Sequence, residues 1–223
     1  MKKSIICGEL APGEKLKMSE LSRIYGVSVT PIREALHRLA QEGMVDANEQ
    51  KGFRVALLSV QGFRQITQLR RLLEREALAE AIRHGDDAWE ADVLGALHRL
   101  KVVEKRLGGV VVALDDDWSK RHKAFHLSLF SACPSDMMLR LIDSFFDQAE
   151  RYRRFLASHQ GGNRCKDDEH QKLFDAVLSR NVENSLELID IHADRMLKHV
   201  TEALQQRDPS RADRTSVTGW GGQ

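Results

Sequence analysis

Apolar residues recur every three and four positions along most of this chain, the period of helices that bury one face, and alternation at period two is nearly absent. The exception is residues 44–57, MVDANEQKGFRVAL, where two short strand-like pieces flank a polar NEQKG turn and predict a hairpin. Two helical segments precede it: KMSELSRIYG, closed by Gly26, and TPIREALHRLAQEG, closed by Gly43. In the second, Thr30 can cap, Pro31 suits the first turn, and Ile32, Ala35, Leu36 and Leu39 share one apolar face. Helix, turn, helix, hairpin is the order of a winged helix-turn-helix.

From Ser59 the pattern predicts about six helices, over 59–83, 87–107, 115–131, 135–158, 164–179 and 182–205. Turn signals separate them at HGDD, RLGG, ACPSD, HQGGN and SRN. In the first of the six, Ile66, Leu69, Leu73 and Leu78 are expected inward. Short connections between long helices imply an antiparallel bundle. The fold class is therefore mainly α, with a winged helix-turn-helix over 1–58 and an all-α antiparallel bundle over 59–205. The tail 206–223 has no periodicity and is expected to be disordered.

Charge narrows the function only slightly. Lys and Arg number 34 against 33 Asp and Glu, a net charge of +1, which argues against a protein that coats polyanions. Residues 1–58 hold nine basic and seven acidic side chains, residues 59–223 hold 25 and 26, so any DNA recognition must rest on local pattern. Mean hydropathy is −0.41, no apolar run approaches the ~20 residues of a membrane span, and MKKSIICGELAPGEK meets Gly, Glu and Pro before an apolar leader can form. A soluble cytoplasmic protein without a membrane partner is expected, and Cys7, Cys133 and Cys165 are expected to be reduced thiols in or near a core.

The N-terminal run contains G-x-L-x-P-G-x-x-L at Gly8 to Leu16, a helix closed by Gly26, V-S-x-T-P-x-R-E-A-L at 27–36, E-G-M-V, and a wing glycine. In this order and spacing it resembles the DNA-binding domain of GntR-type bacterial transcription regulators. A helix entering the major groove needs short polar side chains and positive charge at its start, and Ser28, Thr30 and Arg33 stand there. Arg33 is the candidate for a bidentate contact to guanine. Lys51, Gly52 and Arg54 form the wing tip, and Lys17 and Ser19, opening the preceding helix, are candidate phosphate contacts. Two departures matter. Many family members have Arg where Val29 stands, which leaves a contact missing or replaced by one to a thymine methyl. The family also usually has more residues before Lys2, so the first helix is expected to be short.

Nine histidines stand in the chain. His122 and His126, four apart on one helix, can aim at one centre, and facing helices of a bundle build metal sites from such inward side chains. His170 and His192 lie on two later helices. The arrangement is similar to the FCD effector domain of the FadR branch of the same family, in its metal-containing form, where an Asp and three His hold a divalent transition metal. The resemblance implies His122, His126, His170 and His192 as ligands here, with His122 in the place of the usual Asp. Four imidazoles suit zinc or nickel, and the absence of a carboxylate disfavours manganese and magnesium. His199, seven after His192, competes for the fourth position, while His37, His84, His98 and His159 are read as ordinary.

In that family the metal and nearby basic side chains receive a small carboxylate effector. Arg70, in R-R-L-L-E, matches an Arg often found there, and a surface ion pair with Glu74 is the other reading. FDQAERYRRF, at 146–155, is similar to the carbon-starvation-induced (CsiR-like) repressor subgroup, which points to glutarate or a related five-carbon acid. The function expected is a homodimeric repressor that binds a pseudo-palindromic operator and is released by an organic diacid, with the helix from Ser59 as the coupling route. Two rivals stay open. A metal-dependent hydrolase or lyase can use the His cluster with Asp168 or Glu169 as base, although no nucleophile motif is present. A metal sensor without organic effector is the other.

Overall fold

The computed structural model describes residues 1–48, 50–108, 114–159 and 168–207. Among them are nine helices, α1 (Lys2–Cys7), α2 (Met18–Tyr25), α3 (Val29–Gln41), α4 (Val60–His84), α5 (Asp87–Leu107), α6 (Asp116–Phe130), α7 (Asp136–His159), α8 (Glu169–Leu178) and α9 (Val182–Arg207), and three strands, β1 (Lys15–Leu16), β2 (Val45–Asn48) and β3 (Gly52–Val55).

The hairpin forms as its sequence predicts, with Val45 opposite Val55 and Asn48 opposite Gly52. Its tip is shaped by Asn48, whose side-chain oxygen accepts from the backbone N–H of Gln50 and Lys51, and by Gly52 at φ +74°, a left-handed conformation that favours glycine. The unpredicted β1 pairs on the other side of β3, giving the order β1-β3-β2. Beneath the sheet Leu21, Ile32, Leu36, Leu39, Met44 and Val55 are buried with Ile5 of α1, so the short first helix is part of this core.

Behind it, α4 to α9 bury a second core in which Leu78, Val93, Leu100, Phe125, Phe130 and Ile142 are fully enclosed. Ser59 caps α4 through its hydroxyl, which accepts from Gly62 N–H at 3.0 Å, and Asp86 and Asp115 cap α5 and α6 in the same way. A third cluster, with Phe63, Tyr152, Phe155 and Val200, joins α4, α7 and α9 near the linker. From Phe146 to Ala157 α7 is buried almost all round, and it buries Asp147, Arg151, Arg153 and Arg154 along with its apolar residues. It therefore sits between the winged helix and the bundle interior.

Three expectations change. Ser28, not Thr30, stands at the N-cap of α3, and its hydroxyl makes no capping bond. Leu69 faces outward at 45% exposure, because the stripe of α4 that packs inward runs through Phe63, Ile66, Arg70, Glu74 and Leu78 instead. The last helix runs to Arg207, two residues into the segment expected to be a tail. Cys133 is buried and Cys7 half-buried. Cys165, the turns RLGG and HQGGN in part, the start of the helix expected from 164, and the tail from 208 lie outside the described residues.

Candidate metal and effector centre

His122 and His126 lie one turn apart on the inward stripe of α6, with Phe125 and Leu129 of that helix also buried. His170 comes from the first turn of α8 and His192 from the middle of α9. One ring nitrogen from each of the four lies within 4.8 Å of all the others, and His122, His126 and His170 are buried. His199 stays apart and faces Glu202 at 3.8 Å, so the fourth imidazole of the cluster is His192.

The donor set fits a metal ion. His122 Nδ1, His126 Nε2 and His170 Nε2 are buried with no hydrogen-bond partner, a costly arrangement that a coordinated cation relieves. Burial, then the crowding of other imidazoles, holds His122 and His126 well below the usual histidine range, and His170 is pushed down to about 3 mainly by burial. Neutral imidazole is the ligating form. Metal–nitrogen bonds of ~2.1 Å would put the nitrogens roughly 3–4 Å apart, which modest side-chain movement reaches from 4.8 Å.

Outer contacts orient the rings. His192 Nδ1 lies 3.1 Å from Glu169 Oε2, a carboxylate that can only accept, which leaves Nε2 of His192 as the lone-pair nitrogen. Arg195 holds the other oxygen of Glu169. The hydrogen bond to His192 is the main reason that Glu169 lies below the usual carboxylate range. Trp118 stacks on His122 with ring centroids 4.5 Å apart and donates its indole N–H to Glu104 at 3.2 Å.

A cavity of about 40 Å³ opens beside His122, His126 and His192, walled also by α4 and α7. Arg70 lines this cavity, and its guanidinium pairs with Glu74 at 2.7 Å, a largely buried pair and not the surface one expected, while lying 4.4 Å over the Phe146 ring. Arg153 of α7 also lines it, and sequence pattern does not single that residue out. The spacing Phe146, Ala149, Glu150, Arg153 is the only sequence signal, since it makes one face of α7.

On the winged helix every proposed DNA contact is exposed: Lys17 and Ser19 at the start of α2, Ser28, Thr30 and Arg33 in the first turns of α3, and Lys51, Gly52 and Arg54 at the wing. Lys17 pairs with Glu20 at 3.1 Å, and Arg54 donates to the Gly13 carbonyl at 3.1 Å. Val29, at 40% exposure, presents an apolar side chain beside them. Asp168 and Glu169, the bases a hydrolase would need, face Lys101 and the pair His192 and Arg195 respectively. No helix among the described residues is long and apolar enough to cross a membrane.

Comparison with known proteins agrees with this anatomy. Residues 1–55 match the gntR family of bacterial regulatory proteins and residues 65–195 match the FCD domain. The HTH-type transcriptional repressor GlaR of Escherichia coli is 38% identical over 86% of this chain and 88% of its own length. The HTH-type transcriptional regulator BphR of Paraburkholderia xenovorans is 34% identical over 91% of this chain and 82% of its own. A GntR-family regulator from Pseudomonas syringae is similar in structure at a TM-score of 0.58 and 29% identity, covering 92% of this chain and 83% of that one. McbR/YncC of E. coli shares the fold at a TM-score of 0.74, 20% identity, with 93% and 94% of the two chains covered. GlaR, BphR and the Pseudomonas syringae protein are by name transcription regulators, which stands against the hydrolase or lyase alternative. The chain belongs to the GntR family of bacterial transcription regulators, in the form that carries an FCD domain behind its winged helix.

Proposed function

We propose that the chain is a metal-containing repressor that binds a pseudo-palindromic operator as a homodimer and is released by a small dicarboxylate such as glutarate. The observation that carries this is the juxtaposition of four clustered imidazoles with a cavity into which Arg70 also faces. His122, His126, His170 and His192 would hold a divalent zinc or nickel ion, whose positive charge would attract one effector carboxylate. Arg70 offers a guanidinium fork to the other carboxylate, at the cost of competing with Glu74. Phe63, Phe146 and Ile189 give the cavity an apolar lining suited to the methylene chain of a diacid. The unit over 1–58 reads DNA through Ser28, Thr30 and Arg33 in the major groove, with Lys51, Gly52 and Arg54 at the wing and Lys17 and Ser19 on phosphates.

Isothermal titration of glutarate into zinc-loaded protein tests the effector half of the proposal. Saturable one-site binding is expected, absent from protein stripped by a chelator and from His126→Ala. Zinc-loaded protein that gives no heat, yet binds operator only when loaded, would instead favour a metal sensor.

A further inference from the structure

Arg153 is 7% exposed, and its Nη1 has no hydrogen-bond partner although the residue lines the cavity beside the His cluster. Its guanidinium lies 4.5 Å over the Trp118 ring, the same ring that stacks on His122. Leaving a charged donor buried and unused is costly, so a cavity that presents one is complementary to an anion. The other nitrogens of Arg153 are committed: Nε donates to Glu150 at 2.8 Å, and Nη2 to Glu150 and to Ser119 at 3.1 Å.

Glu150 is shared. Its second oxygen accepts from Arg154 Nε at 3.1 Å, and Arg154 Nη2 reaches Asp116 at 2.5 Å. Asp116 is also held by Lys3 of α1 at 2.8 Å, and Lys3 and Arg154 together keep its carboxyl down at about 2. A continuous line of ion pairs thus runs from the cavity to the first helix of the winged domain. One turn earlier on α7, Asp147 holds Lys2 at 2.7 Å, and the Gln148 side chain lies against Gly43 at the end of α3.

We infer that Arg153 reads the effector: its unpaired Nη1 shares the carboxylate drawn to the His cluster, and the resulting pull on Glu150 is passed through Arg154 and Asp116 to α1. The role rests on the effector proposed above. The enclosed space beside the His cluster is only about 40 Å³, and α7 is the wall of it whose far side meets the winged domain.

The test uses the zinc-loaded full chain, with glutarate as probe, in two readouts: calorimetric binding of glutarate, and operator affinity by fluorescence anisotropy with and without glutarate. Arg153→Met is expected to keep its zinc and its melting transition and to bind glutarate at least ~10-fold more weakly. Arg153→Lys restores part of that loss, since one ammonium cannot hold Glu150 and a carboxylate in a fork. Arg154→Met is expected to bind glutarate within about twofold of the wild type, while its glutarate-driven fall in operator affinity shrinks from ~10-fold or more to under ~2-fold. Wild-type affinity for glutarate in Arg153→Met, or full operator release in Arg154→Met, overturns the inference. A wild-type chain that ignores glutarate in both readouts overturns the effector reading beneath it.

Discussion

At the scale of single residues, the site is a set of buried polar atoms that need something from outside the chain. His122, His126 and His170 each bury a ring nitrogen without a partner, whereas His192 is held by Glu169, which Arg195 holds in turn. Outer carboxylates of this kind fix ring orientation and raise ligand basicity. Glu169→Gln is therefore expected to lower zinc affinity about 10- to 100-fold without unfolding the protein, as measured by competition with a chromogenic chelator. An unchanged affinity would mean that Glu169 only anchors Arg195. The four imidazoles are legible in the sequence because the i,i+4 pair and two later motifs mark them. Arg153 is not, because Arg151, Arg153 and Arg154 crowd one short run and only the packing of α7 decides which of them meets the cavity. His199 illustrates the same limit, since seven-residue spacing puts it on the face of His192 but two turns away along the axis.

Among the elements, helices were readable to within a residue or two wherever apolar periodicity met a cap, as at Ser59, Asp86 and Asp115. Strand β1 escaped because two residues carry no period, and its existence depends on β3 lying beside it. Leu69 faces outward, against its periodicity, because α4 gives part of its inward stripe to Arg70 and Glu74, charged residues that periodicity assigns to solvent. Helix α3 and the wing call for different outcomes on mutation. Arg33→Ala, at the exposed start of α3, is expected to cost about 1–3 kcal/mol of operator binding and to relax preference at one base position. Lys51→Ala, at the wing tip, is expected to weaken all sequences alike and to reduce the salt slope by about one. Anisotropy titrations of operator and scrambled duplexes across a salt series separate the two.

For the whole molecule, the sequence suggested that the winged helix and the bundle communicate through the helix from Ser59. The structure offers a second, more direct contact route: α7 carries cavity residues on one side, and on the other Asp147 and Gln148 meet the winged domain directly while Arg154 meets Asp116, which Lys3 of α1 also holds. A route of that kind is invisible to pattern, since it joins residues more than a hundred positions apart, Lys3 with Asp116 and Lys2 with Asp147. In the proposed mechanism, ligand occupancy and DNA geometry would be two outcomes of one helix position, which is what an effector-released repressor requires. The most direct measurement is operator affinity by fluorescence anisotropy, at fixed salt, for zinc-loaded and chelator-stripped protein as glutarate is raised to saturation. A fall of ~10-fold or more in the zinc-loaded protein, with little change in the stripped protein, is the predicted result. Operator affinity that stays constant at saturating glutarate in both forms would contradict it.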